Sequence, residues 1–377
     1  GAGWAAGRDG ARGRAAPLSP SAPVVDLRSA AVTRPTEAMW SAMRQAKPGW
    51  ALAGDDPHVE ALEARGALLT GMEAALLVPS GTAANLLALM VVPERGDRIL
   101  LEAKAHILWA EESGYASLCG LAAHGIPGEH GAMPLDALER ALCEESFGHR
   151  PRPGLVCLEN THNAEGGTVL TPAYLDRLVA LCRRHEVPVH VDGARLFNAA
   201  AALGVPLSVL CRGARTVTLN LNKGLSAPYG ALLCGARETI ARARPALRRL
   251  GSASVHQAGI LAAACLAGID HAVEQCREDN QRAGELGARL AALDLAGASV
   301  APVHTNIVLL QVPDADGFAA ALRSEGVLVS RRDDRTIRLV THRHIGADEI
   351  DRALVAIERC RHALKVGRSA GGSPGSR

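Results

Sequence analysis

Two short runs of β-branched and apolar residues, Val187–Val191 and Thr216–Leu221, constrain this chain more than any other feature. Both are short and bounded by turn-forming residues, the pattern of strands buried on both faces of a parallel sheet. Both end in polar residues: Asp192-Gly193-Ala194-Arg195 follows the first run, and Asn222-Lys223-Gly224 the second. In an open parallel sheet the carboxyl ends of the strands carry the ligand site. The pattern therefore brings a carboxylate, a guanidinium and an amine to one edge of one sheet.

The rest of the chain supplies partners for that sheet. Ala74–Val78, Arg98–Leu101 and Leu155–Leu158 read as further strands, and Val24–Arg28 as a short extended arm. Helices are expected from Thr36, an N-cap, to Gln45; after Asp55-Asp56-Pro57, with Val59, Leu62 and Leu69 facing inward; and at Ala83–Met90, Leu135–Cys143 and Pro172–His185. A basic helix follows Gly235 and ends at Arg249. Beyond it, helices are expected at Ala258–Cys276, Asn280–Leu293, Gly317–Ser324 and Ala347–Leu364, and strands at Asn306–Val312, Val327–Ser330 and Thr336–Thr341. The implied fold class is α/β: an arm and a large, mostly parallel sheet domain over residues 24–256, then a smaller α+β C-terminal domain over 257–365. Residues 1–23 and 366–377 have the Gly-, Ala-, Ser- and Arg-rich composition of disordered tails. The first also suits a mitochondrial transit segment; otherwise the expectation is cytoplasmic.

Composition narrows the function. A formal charge of +2 points to neither a nucleic-acid partner nor an anionic membrane surface. The longest apolar run, Ala258–Ile269, is too short to span a bilayer. The nine cysteines are scattered without a Cys-x-x-Cys pair, which argues against zinc and against a disulfide framework. His342 and His344 lack a third partner for a metal and read as a solvated loop. With only 3% aromatic residues, the core has to be built from Ala, Leu and Val.

Two further motifs join the amine and the carboxylate. Pro79-Ser80-Gly81-Thr82 lies between a strand and a helix, where free N–H groups and the helix dipole suit a phosphate. His106 follows a strand end and is placed to cover a flat ring. A lysine for a Schiff base, an acid for a pyridinium nitrogen and a phosphate turn are the set that pyridoxal 5′-phosphate (PLP) requires.

The longer motifs carry a resemblance. Asp26-Leu27-Arg28-Ser29, Val32-Thr33-Arg34-Pro35-Thr36, Pro79–Thr82, Leu158-Glu159-Asn160-Thr161-His162-Asn163, Asp192–Ala199, Lys223-Gly224-Leu225 and Ile337-Arg338-Leu339-Val340-Thr341-His342 resemble the low-specificity L-threonine aldolases. These are PLP enzymes of fold type I, the aspartate-aminotransferase fold, and the likeness runs collinearly from Asp26 to about Leu364. It implies retro-aldol cleavage of L-threonine or L-allo-threonine to glycine and acetaldehyde. Lys223 would carry PLP, Asp192 would pair with the ring nitrogen, Ser80, Gly81 and Thr82 would hold the phosphate, and His106 would stack on the ring. Ser29, Arg195 and Arg338 would hold the substrate carboxylate. His106 or His149 would be the base for the β-hydroxyl, and His162 would be structural. The resemblance also implies a homotetramer built as a dimer of dimers.

Several positions depart from the family. Ala30-Ala31 stands for Asp-Thr, Trp50-Ala51 for an acidic pair, and Ala53 for a tyrosine. Gly251-Ser252-Ala253-Ser254-Val255-His256-Gln257 replaces a triple glycine followed by Met-Arg-Gln, and Asn222 and Ser226 replace a serine and a glycine around Lys223-Gly224. If the replaced glycines needed positive φ, Ser and Ala there would cost about 1–2 kcal/mol each. These departures leave two further readings, a related PLP β-eliminating lyase and a PLP-fold protein with impaired turnover.

Overall fold

The computed structural model describes residues 24–143, 150–253, 255–293 and 295–365. The expected tails and His149 lie outside them. A two-residue strand, β1 (Val25–Asp26), begins the described chain. A seven-stranded sheet follows, from β2 (Ala74–Val78), β3 (Arg98–Glu102), β4 (Ala122–Ile126), β5 (Pro153–Glu159), β6 (Val189–Gly193), β7 (Thr216–Asn220) and β8 (Ala231–Gly235). Its order is β2-β8-β7-β6-β5-β3-β4. The two apolar runs are neighbours, paired in parallel with Asp192 opposite Thr218. All pairings are parallel except those of β8, which runs antiparallel to both β2 and β7.

Alternation along each strand explains why both faces are covered. Leu76 and Val78 pack into one core and Ala75 and Leu77 into another. On β3, Ile99 and Leu101 face one layer while Leu100 faces the other. Period-two geometry sends successive side chains to opposite faces, so each strand needs helices on both sides. One layer includes the helices Pro57–Thr70, Pro172–Arg184, Leu196–Leu203 and Ala258–Ile269; the other includes Gly81–Val91 and Arg237–Arg249. Each leucine so buried contributes roughly 1.5–3 kcal/mol.

The C-terminal part forms a second sheet. Strands β9 (Ser299–Val300), β10 (Ile307–Gln311), β12 (Ser330–Asp333) and β13 (Thr336–Val340) are antiparallel, in the order β12-β13-β10-β9, while β11 (Val327–Leu328) pairs with β1. Its core contains Phe318, Leu286, Leu290, Ile350 and Ile357. The single strand expected at Val327–Ser330 is therefore two short ones serving different partners. No described helix is long and apolar enough to cross a membrane.

The helices near residue 270 differ from expectation. The break falls at Asp270-His271, between Ala258–Ile269 and Ala272–Ala292, and not across residues 277–279. The polar run there stays helical because Gln275 Nε2 donates to Asp279 Oδ1 one turn away, at 3.0 Å, while Thr341 Oγ1 donates to the Asp279 carbonyl. Ala258, Ala262 and Ile269 pack in the large-sheet core, whereas Leu286 and Leu290 pack in the second. We place the domain division within Ala272–Ala292 rather than at residue 257.

The N-terminal arm is bound to the second sheet and reaches the large domain where Thr33 Oγ1 donates to the Lys223 carbonyl at 3.4 Å. Val340 N–H donates to the Leu27 carbonyl at 2.8 Å, and Ser330 Oγ to the Arg28 carbonyl at 2.9 Å. His342 is buried, not solvated, and its Nε2 bonds the Asp26 carbonyl at 2.8 Å. His344 Nε2 accepts from Arg34 N–H at 3.0 Å. Both histidines thus anchor the arm.

Candidate active site

The carboxyl ends of β2, β3, β5, β6 and β7 lie along one edge of the sheet and deliver, in turn, Ser80, His106, Glu159, Asp192 and Lys223. β2 reaches this edge from the far side of the sheet, and Gly81 closes the gap. A Cβ added at Gly81 would meet Asn220 Oδ1 at 2.6 Å, so the last residue of β7 lies directly against the small-residue turn. Ser80 caps the helix Gly81–Val91 by accepting from Ala83 N–H at 3.1 Å. The first two N–H groups of that helix, on Gly81 and Thr82, have no carbonyl within the helix and suit an anion.

Asp192 is 2% exposed and accepts from Asn85 Nδ2 at 2.8 Å and from Ala194 N–H at 3.0 Å. Asn85 is the hub of this floor. Its Nδ2 also donates to Glu111 Oε1 at 2.9 Å, and its Oδ1 accepts from Thr218 Oγ1 at 2.7 Å and from His190 Nε2 at 3.1 Å. Burial holds His190 neutral, with its pKa down to about 4, so Nε2 carries the proton. His106 Nδ1 bonds Glu111 at 3.0 Å, and its backbone N–H donates to Glu159 Oε2 at 2.7 Å. The Glu111 bond holds the His106 imidazole above its usual pKa; burial opposes this, and the charges of Asp192 and Glu159 add to it. The ligand atoms of His106, Glu111 and Asp192 lie within 4.8 Å of one another. Asn85 already donates to both acids, which makes this a hydrogen-bonded web and not an open cation site.

Lys223 sits where these groups converge. Burial and the Arg195 charge push its amine down to about 8, against the opposing pull of Asp192 and Glu159. Arg195 is 5% exposed, and burial followed by the Arg338 charge brings it to about 10. The two guanidiniums share one acceptor: Asn163 Oδ1 takes Arg195 Nη1 at 3.0 Å and Arg338 Nη1 at 2.8 Å. Both Nε atoms are buried without a partner among the described residues, an arrangement that suits a bidentate anion. Arg338 also donates to the Arg28 carbonyl at 3.3 Å, which places neighbouring Ser29 close by; the Ser29 hydroxyl caps the turn Ala30–Val32. A cleft of about 550 Å³ opens over His106, Glu159, Asn163 and Arg338.

The profile of the beta-eliminating lyase family matches residues 26–315. A low-specificity L-threonine aldolase of Arabidopsis thaliana is 35% identical over 89% of this chain and 96% of its own. The low specificity L-threonine aldolase of Escherichia coli K12 is 36% identical over 87% of this chain and 96% of its own. The chain belongs to the low-specificity L-threonine aldolases. The solved structure of Leishmania major threonine aldolase shares the fold at 20% identity, with a TM-score of 0.76 over 89% of this chain and 99% of that one.

Against the pattern of the threonine aldolases, two departures take on physical meaning. Among the described residues of the replaced glycine run, Gly251 alone has positive φ; Ser252 and Ala253 do not, so the strain expected there is absent at both. The strain lies at Ser226, where φ is +67° and the buried hydroxyl has no partner among the described residues. His256 turns toward the other altered stretch: its Nδ1 accepts from Trp50 Nε1 at 3.0 Å, and its carbonyl accepts from Ala51 N–H at 3.1 Å. Among the residues named from the sequence, Asp192, Lys223, Arg195, Arg338, His106, Ser80, Gly81 and Thr82 gather along one edge. Asn85, Glu111, Glu159 and Asn163 were not foreseen as site residues. Asn85 was legible as the lone polar residue inside an apolar helix, and Asn163 as the end of a polar motif after a strand.

Proposed function

We propose that this chain cleaves L-threonine and L-allo-threonine to glycine and acetaldehyde by a PLP-dependent retro-aldol reaction. The observation that carries this is an amine brought to about pKa 8 within electrostatic reach of two guanidiniums whose Nε atoms have no partner among the described residues. PLP, when bound, supplies the electron sink that stabilises the charge left on Cα as the Cα–Cβ bond breaks. Lys223 holds the cofactor, and its depressed pKa keeps a share of the amine neutral and nucleophilic near pH 7. Asp192, with two donors already bound, keeps an acceptor face for a protonated ring nitrogen. Ser80, Gly81 and Thr82 receive the phosphate. Arg195 and Arg338, fixed by Asn163 with Ser29 beside them, orient the substrate carboxylate. His106 covers the ring. The β-hydroxyl proton passes to an imidazole, from His106 or from His149. The Glu111 bond first, with the charges of Asp192 and Glu159 adding to it, raises the His106 imidazole above its usual pKa, a direction that suits positioning and proton return.

The same reading carries the family's homotetrameric, dimer-of-dimers assembly and a cytoplasmic setting. Trp40 and Trp50 are 41% and 54% exposed, and Trp50 and Val255 stand near an apolar pocket of about 310 Å³ that includes Leu52 and Tyr229. Exposed aromatic rings beside an apolar hollow support a subunit contact there; sedimentation of the holoprotein reads the assembly directly.

The decisive experiment is spectroscopic and chemical. The PLP-loaded protein should show an absorption band near roughly 420 nm, as expected of the cofactor, and release glycine from both threonine diastereomers. Lys223→Ala should lose the band and slow glycine release by ~10⁴-fold or more. Pyruvate and ammonia in place of glycine and aldehyde would redirect the reading to β-elimination.

A further inference from the structure

The cations of the cleft outnumber what a threonine carboxylate requires. Lys104 Nζ is paired with Glu165 at 2.6 Å, and Arg331 Nη1 with Asp316 at 2.6 Å. Arg195 and Arg338 await the α-carboxylate of an amino acid. Arg332 remains, with no hydrogen bond or ion pair among the described residues. Its nearest acid in sequence, Asp333, accepts the Arg335 N–H at 2.9 Å and feels the Arg332 charge only at longer range. Arg332 lines the substrate cleft together with Arg338, and its charge lowers the Arg338 pKa, which places the two guanidiniums within electrostatic reach.

Space leads the same way. A second cavity of about 390 Å³ shares Lys104, Ala164 and Arg332 with the first. Arg332 therefore stands at the junction of the two cavities. With the α-carboxylate on Arg195 and Arg338, a β-substituent that extends along the cleft would reach Arg332. A methyl group leaves the volume empty and Arg332 unpaired; an anionic group fills the first and pairs the second.

We propose that Arg332 is a specificity-determining residue that selects β-hydroxy amino acids whose side chain ends in a carboxylate. The inference rests on the aldolase reading of the site and names its substrate class. The bond changes are those of that reaction. The β-hydroxyl proton leaves to a base, and the Cα–Cβ bond breaks with its electron pair staying on Cα. Cβ departs as an aldehyde bearing the carboxylate, and Cα takes a proton to become glycine. No oxidant or reductant is required.

The test compares 3-hydroxyaspartate with threonine on the PLP-loaded protein. Wild type should favour 3-hydroxyaspartate by about tenfold or more in kcat/KM, the scale of one charge-assisted pair. Arg332→Gln should lower that preference by a similar factor, and Arg332→Glu should reverse it. Added salt should shrink it, since the pair is partly exposed. A binding readout runs beside turnover: L-aspartate, which has no β-hydroxyl and is not cleaved by this route, should bind about tenfold more tightly than L-alanine by calorimetry, and lose that margin in Arg332→Gln. Cleavage of threonine with no preference for 3-hydroxyaspartate, or a ratio untouched by Arg332→Gln, overturns the inference while leaving the aldolase reading in place. A wild-type holoprotein that releases glycine from neither substrate overturns both.

Discussion

At the floor of the cleft, Asn85 joins Asp192, Glu111, Thr218 and His190 in a buried web anchored on the helix Gly81–Val91 and on strands β6 and β7. At the rim, Arg331 and Arg332 stand in solvent on the short strand β12, and Trp109 is 74% exposed. The floor is saturated with short internal bonds, while the rim keeps charges that its own residues do not fully use. A buried polar group without a partner costs roughly 1–3 kcal/mol, so the floor admits few alternatives. Rim substitutions away from such constraints stay within about 0.5 kcal/mol, so the rim is free to encode selectivity. On the proposed roles, cofactor chemistry and substrate choice are separable in this molecule.

The sharpest way to break that separation is to remove the hub. Asn85→Leu strands two acids, an imidazole and a hydroxyl, and should destabilise the fold by about 3 kcal/mol or more, read as a fall in thermal midpoint together with weaker PLP binding. A variant as stable as wild type would show that the web is not structural. Next, Asn163→Ala removes the acceptor shared by Arg195 and Arg338. It should cost about 10–100-fold in kcat/KM for any amino-acid substrate, seen mainly in KM, because the arginines bind the ground-state carboxylate. An unchanged KM would detach these arginines from substrate binding.

The lysine sharpens the floor by its pH dependence. Its amine titrates near 8 in the folded chain, below the ordinary lysine value near 10.4. The neutral form is thus favoured by folding, and uptake of PLP by the stripped protein should speed up about tenfold per pH unit up to about 8, then level off. For stability the sign runs the same way. The lysine binds fewer protons folded than unfolded between about pH 8 and 10.4, so its burial penalty is present in full below about 8 and fades as pH rises toward the unfolded value. A profile still rising steeply past pH 9 would place the amine in water. The smallest effect lies beside it. Ser226→Gly relieves φ +67° and removes an orphaned hydroxyl, and should stabilise the cofactor-free protein by about 1 kcal/mol in denaturant unfolding. Loss of stability would mean that the hydroxyl has a partner in the folded state.

The strand ends that carry Asp192 and Lys223 were legible along the chain, because strand period and terminal residue type are local properties. A buried strand ending in Asp-Gly-Ala-Arg and another leading into Asn-Lys-Gly carry their meaning wherever they fold. Other features were hidden for physical reasons. Strand β8 shows no alternation, since both its faces are buried, and its antiparallel direction follows only from its neighbours. The break at Asp270-His271 gave way in the sequence to the charged residues 277–279, which tertiary bonds hold within a helix.

By itself, then, the sequence determined the α/β class and, through the collinear motifs, the family, and it placed Lys223, Asp192 and Ser80–Thr82 at strand ends, because each depends on short-range spacing. Only the tertiary structure decided that Asn85 would join four side chains, that Asn163 would bridge two arginines 143 residues apart in the chain, and that the strain would fall on Ser226 and not on the altered glycine run. Those outcomes depend on which strand lies beside which, and on backbone angles that neighbours across the sheet impose. The same holds for Arg332, one of many arginines in the chain, which the fold places at the cleft with no hydrogen bond or ion pair among the described residues.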